Sequence, residues 1–196
     1  VSNYEKQRVA YHEAGHLLVA AHEGFESLGI VVRDNMSGHA ESSPRLPGRT
    51  SEQYVSSRLR VLLAGALAQC IKLHPGDSRC VMNALLTNGN ANDDWCKAEE
   101  LARAIAHGRT GGAASDDKSM AAAADEVIRE HSAQAQKILE SNRKVLDKLA
   151  RLVIDRFADL CAEDINASDS DSKLEVTEAE VKRALDGMQR VYGDSA

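Results

Sequence analysis

Aromatic side chains make up only 4% of this 196-residue sequence. Beside a 43% apolar fraction in which alanine and leucine recur periodically, so thin an aromatic supply argues for a largely helical core over a β-sandwich. Cysteine is scarce too. Cys70, Cys80, Cys96 and Cys161 form no Cys-x-x-Cys pair and are too few for a disulfide scaffold; they read as reduced thiols of a cytosol-like compartment. Basic residues are outnumbered, and a net charge of −6 leaves no electrostatic footprint for nucleic acid or an acidic membrane surface. No stretch approaches the roughly 20 apolar residues of a membrane span, and no signal peptide opens the sequence. There is no internal repeat and no Gly-x-x-x-x-Gly-Lys-Ser/Thr phosphate loop. The length suits one substantial domain or one and a half small ones.

What is present is concentrated near the start. Tyr11-His12-Glu13-Ala14-Gly15-His16 places His-Glu-x-x-His inside a segment of helical periodicity. Residues four apart stack on one face of a helix, so His12 and His16 can aim two imidazoles at one ion. Glu13 lies one step round the helix, off the ligand face but in reach of a water on that ion. Two neutral nitrogens, one carboxylate base and one open position are what a metal hydrolase needs. A solvated histidine stripe is the plainer alternative, but Leu17-Leu18-Val19-Ala20 continues without a charge, so the segment is expected to be buried. Three buried polar groups without a task would cost free energy.

Along the chain, Ser2-Asn3-Tyr4-Glu5 fits a capping box for a helix ending near Glu23, with Gly24 as the stop. Leu28 to Arg33 is the clearest strand, and a second short one is expected around Gly38-His39-Ala40-Glu41. Ser42 to Arg49 reads as loop. Thr50-Ser51-Glu52-Gln53 caps a second helix reaching Leu73. Leu85 to Asn90 reads mostly as loop, and Asp93 or Asp94 opens a third helix carrying Cys96, Ala98, Leu101, Ala102 and Ile105. Gly108 to Ser115 is a small-residue loop. Helical periodicity from Asp116 to Asp159, broken near Ser141-Asn142, predicts two helices packed as a hairpin. Ala162 to Lys173 is loop-like, and Thr177-Glu178-Ala179-Glu180 caps a last helix ending at Gly187. His22, His74, His107 and His131 have no ligand-like neighbours in sequence and are expected mostly at the surface.

A catalytic zinc usually takes three protein ligands and a water. No further histidine follows at the metzincin spacing. Glu99 or Glu100 suits a glutamate-ligand arrangement. The best-placed candidates are the aspartates of Asn92-Asp93-Asp94-Trp95, since a first helical turn stabilises a carboxylate. A plain N-cap is their alternative role.

The His12 to His16 motif is similar to the peptidase signature of the FtsH family of AAA+ zinc metalloproteases. Arg60 to Ala68 resembles that family's second helix. Gly89-Asn90-Ala91-Asn92-Asp93-Asp94, followed by Ala98 to Arg103, resembles the segment carrying its third ligand. Val127 to Leu139 and Asn142 to Ala150 resemble its C-terminal helical hairpin, and Glu178 to Leu185 its closing helix. The resemblance implies a mainly α fold with a small β-sheet: a zincin-like His-Glu-x-x-His helix, a helical bundle and a C-terminal hairpin. It implies a metallopeptidase core over 1–110 and a helical subdomain over 111–196, integrated into one domain. It further implies Zn2+ held by His12, His16 and an aspartate, with Glu13 as catalytic base and polypeptide as substrate. Counting forward from Gly89 selects Asp93. Counting back from Leu101-Ala102-Arg103 selects Asp94, which is preferred because insertions fall in loops rather than helices; Asp93 is the reserve.

Ala64-Gly65-Ala66-Leu67-Ala68-Gln69 departs from the family's Gly-Gly-Arg-Ala-Ala-Glu-like stretch. The family couples its peptidase to an AAA+ ATPase and forms hexameric rings. With no phosphate loop here, the expectation is an excised peptidase domain or a stand-alone relative acting on unfolded or flexible polypeptide. Such a domain would be cytoplasmic or the soluble part of a membrane-anchored protein, with an ATPase partner and a homo-oligomer as implied associates. The resemblance also suggests edge pairing of substrate with the strand near Gly38-His39-Ala40, although an ordinary edge strand is the simpler reading. Two alternatives compete. A metal-stabilised but inactive interaction or oligomerisation module has no use for an uncoordinated Glu13. A deformylase-like amidase needs an upstream cysteine ligand, and no cysteine precedes Cys70.

Overall fold

Ser2 starts the first helix through a reciprocal cap: its hydroxyl accepts the Glu5 N–H, while the Glu5 carboxylate accepts the Ser2 N–H. Helix α1 then runs Asn3–His22. Thr50 and Gln53 cap α2, Ser51–Leu73, in the same way, and Thr177 and Glu180 cap the closing helix. The computed structural model describes residues 2–33, 37–43, 48–75, 89–111, 116–163 and 173–189. Within them, α1 is followed by β1 (Glu26–Arg33), β2 (Gly38–Ser43), α2, α3 (Gly89–Thr110), α4 (Asp117–Ser141), α5 (Arg143–Glu163), β3 (Lys173–Thr177) and α6 (Glu178–Leu185). The protein is mainly helical with one small antiparallel sheet in the order β2-β1-β3. No helix among the described residues is long and apolar enough to cross a membrane.

The central seam is α1 against α2. A Cβ at Gly15 would lie 2.6 Å from both the Ala64 carbonyl oxygen and the Ala68 Cβ, so the two helices meet with backbone in contact. This closeness lets Leu17, Leu18, Leu59 and Leu63 join one fully buried core with Ile138, Leu139, Leu149 and Phe157 from α4 and α5. Each such leucine contributes about 1.5–3 kcal/mol of burial. The sheet lies beside α1, with Ile30 and Val32 of β1 and Val176 of β3 pointing into the same core.

Several local expectations are revised. Helix α3 starts at Gly89, so Gly89 and Asn90 are helical rather than loop, and Asp93 and Asp94 stand within the helix rather than opening it. Its far end continues through Gly108 to Thr110, because a helix tolerates one glycine at modest cost when flanking residues pack. Cys96 is exposed, whereas Cys70 is buried. β2 extends to Ser43, and the last helix ends at Leu185. Strand β3 carries little local signal, since Lys173-Leu174-Glu175-Val176-Thr177 is short and two of its five residues are charged; pairing with β1, from Gly29↔Thr177 to Arg33↔Lys173, makes it a strand. Helices α4 and α5 meet at Asn142 but do not pack along each other: α4 lies on α2 and α3, and α5 on α1. Their apolar stripes find larger partners in the central helices than in one another. His22 and His131 are buried, 6% and 2% exposed, not at the surface. Cys80 lies outside the described residues, as does the middle of the expected loop, 44–47.

Candidate metal centre

The interior half of α1 brings His12 and His16 to its face against α2, and α3 brings Asp94 to meet them. Nε2 of His12 lies 3.2 Å from Asp94 Oδ2 and Nε2 of His16 lies 2.9 Å from the same oxygen. The two Nε2 atoms are 3.0 Å apart, with the rings edge to face at 85°. Three donor atoms thus converge on one point, the one His/Asp group among the described residues arranged in this way. Separations of 2.9–3.2 Å are close to the edge of about 3.3 Å that follows from tetrahedral bonds of about 2.0–2.1 Å. Two imidazoles and a carboxylate are also a donor set that suits a borderline divalent cation such as Zn2+.

Asp93 turns elsewhere. One residue rotates a helix by about 100°, and Asp93 is exposed, bonded to Lys97 at 2.6 Å. Glu99 pairs with Arg103 within α3, and Glu100 is exposed.

The nitrogens facing away from the cluster are held as well. His16 Nδ1 lies 2.7 Å from the Val61 carbonyl, to which it donates, so Nε2 is the nitrogen turned toward the cluster. His12 Nδ1 lies 2.9 Å from the buried side-chain amide of Gln69, which can present either end of the amide. Gln69 was legible only as a departure from a family pattern. A better signal is that it is the only strongly polar side chain between Val61 and Ile71. Gly65 completes the cradle: a Cβ there would sit 2.5 Å from His16 Nε2 and 2.7 Å from His12 Cε1. Only a bare backbone lets α2 pass so near both rings.

Charge binds these groups together. Burial alone would strip a proton from His16, but the adjoining Asp94 carboxylate outweighs it and pushes the imidazole up to about 9. Burial would likewise raise the Asp94 carboxyl, yet bonds from His12 and His16 hold it well below the usual carboxylate range.

Glu13, only 5% exposed, faces the sheet rather than the cluster. Its Oε2 accepts the Ala40 backbone N–H of β2 at 2.8 Å, leaving Oε1 without a hydrogen-bond partner among the described residues. Gly38 fits over the Glu13 stem, since a Cβ at 38 would lie 2.7 Å from Glu13 Cγ. Neither the Ala40 latch nor the Gly38 contact is readable from spacing, because β2 and α1 are joined only by the fold. His12, Glu13, His16 and Asp94 line one open cleft of about 540 Å³, walled by β2 on one side and by α2 and α3 on the other.

Comparison with known proteins shows a distant kinship to one family. The chain is 30% identical to the chloroplastic ATP-dependent zinc metalloprotease FTSH 1 of Arabidopsis thaliana, over 80% of this chain and 25% of that protein. It is 28% identical to ATP-dependent zinc metalloprotease FtsH 3 of Synechocystis sp., over 80% of this chain and 30% of that one. Chloroplastic FTSH 5 of Arabidopsis thaliana is also 28% identical, with 80% and 26% covered. The chain is therefore distantly related to FtsH zinc metalloproteases, and it spans between a quarter and a third of the length of these relatives. No protein-family model matches it.

Proposed function

We propose that this chain is a zinc-dependent endopeptidase domain that hydrolyses peptide bonds of unfolded or flexible polypeptides. The observation that carries the reading is the convergence of His12 Nε2, His16 Nε2 and Asp94 Oδ2 beside a carboxylate, Glu13, that stays out of the ligand cluster. Zn2+ held by His12, His16 and Asp94 would supply Lewis acidity, lowering the pKa of water and polarising a carbonyl. Glu13, steadied through Oε2 by Ala40, offers Oε1 to a water in the cleft. It takes one proton as the water oxygen bonds to the scissile carbonyl carbon. It returns that proton to the amine nitrogen as the C–N bond breaks. β2, beside Glu13 and at the edge of the sheet among the described residues, offers backbone groups to an extended substrate. The relatives are described as ATP-dependent, and in this reading an ATPase module, on the same polypeptide or on a partner, delivers the unfolded chain.

The test pairs zinc content with cleavage of casein, wild type against Glu13→Gln. One zinc per chain in both, with cleavage only by wild type, is the expected result. Zinc bound by an inert wild type, with and without an ATPase partner, would favour the interaction module instead. Failure to bind zinc at all would remove the metal site.

A further inference from the structure

Among the described residues, many arginines of this acidic chain sit in ion pairs. Arg60, Arg103, Arg109 and Arg156, for instance, each reach a carboxylate within 3.2 Å. The cleft is different. It is lined by Arg33, at the end of β1, and by Arg58, on α2. Both are part-buried, and neither guanidinium has a carboxylate partner among the described residues. The other cation on the cleft wall, Lys97, is already paired with Asp93. Of the acids of the cleft, Asp94 is committed to the histidines, Asp93 to Lys97, and Glu13 through Oε2 to the Ala40 N–H.

Their placement ties the two arginines to the reacting groups. Arg58 is one helical turn before Val61, whose carbonyl fixes His16, so the two share a face of α2. Arg33 sits where the sheet closes over Glu13: its N–H donates to Ser37 O, and the preceding Val32 pairs with Gly38. One cation thus comes from the helical wall and one from the sheet wall of the same cleft. An arginine held part-buried with no anion among the described residues loses hydration and gains no pair there in return, a loss that a bound carboxylate would offset.

We infer that Arg33 and Arg58 form a carboxylate-binding subsite that makes this cleft select polypeptides presenting an acidic group near the bond to be cut. The inference deepens the peptidase reading and rests on it for the cleavage step alone. The carboxylate has two possible sources, an Asp or Glu side chain or the free C-terminus of the substrate. Either would be held by charge-assisted bonds.

The experiment uses short unstructured peptides carrying fluorescein, identical except for Glu, Gln or Lys at one position near a central leucine, all amidated at the C-terminus. A further peptide, with no internal acid, is made as free acid and as amide. Binding is read by fluorescence anisotropy with zinc-loaded Glu13→Gln, and cleavage with wild type. The expected binding preference for Glu over Gln is about tenfold. It should weaken with salt, collapse in Arg33→Gln/Arg58→Gln and survive in part in Arg58→Lys, which guards against a folding defect. A preference confined to the free acid over the amide supports the subsite and assigns it to chain ends. Equal binding of all peptides overturns the inference, whatever the cleavage assay shows. Selective binding without any cleavage keeps the subsite and discards the peptidase reading.

Discussion

Arg60 grips Glu23 through two bonds of 2.7 Å, Nε to Oε1 and Nη2 to Oε2. Glu23 follows α1 and Arg60 lies on α2, and Ser57 adds a third bond to Glu23 Oε2 at 2.6 Å. Arg60 Nη1 also donates to Gln134 of α4 at 2.9 Å. The pair therefore ties together the helices that carry the histidines and the cradle around them.

This pair predicts an acid-sensitive component of stability. Burial opposes charge on Glu23, but Arg60 and Ser57 hold its pKa below the ordinary 4.5. A carboxyl with a lowered folded pKa adds stability above its unfolded value and loses it as pH falls through the folded one. Urea midpoints should thus drop more steeply in wild type than in Glu23→Gln below about pH 4.5. Parallel curves would exclude Glu23 as the group responsible. Arg60→Ala should cost about 3 kcal/mol, since it leaves buried Glu23 with Ser57 and the more distant Arg49 and His22.

Asp94 and Asp93 offer a sharp contrast between adjacent residues. Asp94→Asn should weaken zinc binding by at least about 100-fold, more than loss of an outer-shell partner. Asp93→Asn, which removes only an exposed ion pair with Lys97, should leave affinity nearly unchanged. Competition with a chromophoric chelator measures both, and equal losses would contradict the assignment of Asp94.

Two glycines on helices should respond in opposite directions to alanine. Gly65→Ala drives a methyl into His12 and His16, so it should destabilise by about 1–3 kcal/mol and impair zinc uptake. Gly108→Ala, with nothing within 4 Å of the new methyl, should stabilise by about 0.5–1 kcal/mol. Thermal melts of the metal-free proteins decide the matter; a harmless Gly65→Ala would mean α2 stands farther from the histidines.

Gly38→Ala separates positioning of the base from metal binding. Its methyl would displace the Glu13 stem, and a misplacement of about 1 Å can cost about 100-fold in rate. Casein cleavage should fall by roughly that factor while zinc content stays at the wild-type level. Loss of both together would point to general disruption instead.

The sequence by itself determined the helices with capping boxes at Ser2, Thr50 and Thr177, because a cap needs only residues three apart. It also determined the stacking of His12 over His16 with Glu13 off their face, a consequence of helical repeat alone. Strand β3 and the burial of His22 and His131 depend on partners far along the chain, and local pattern carried no trace of them. The same holds at the site. Two counts through one loop left Asp93 and Asp94 in competition, and only the rotation of α3 against α1 turns Asp94 toward the histidines. Gln69 beside His12, the Ala40 N–H on Glu13, and Arg33 and Arg58 in one cleft join elements that are distant in sequence. A helix can set the spacing of its own side chains, but what stands opposite them is decided by packing.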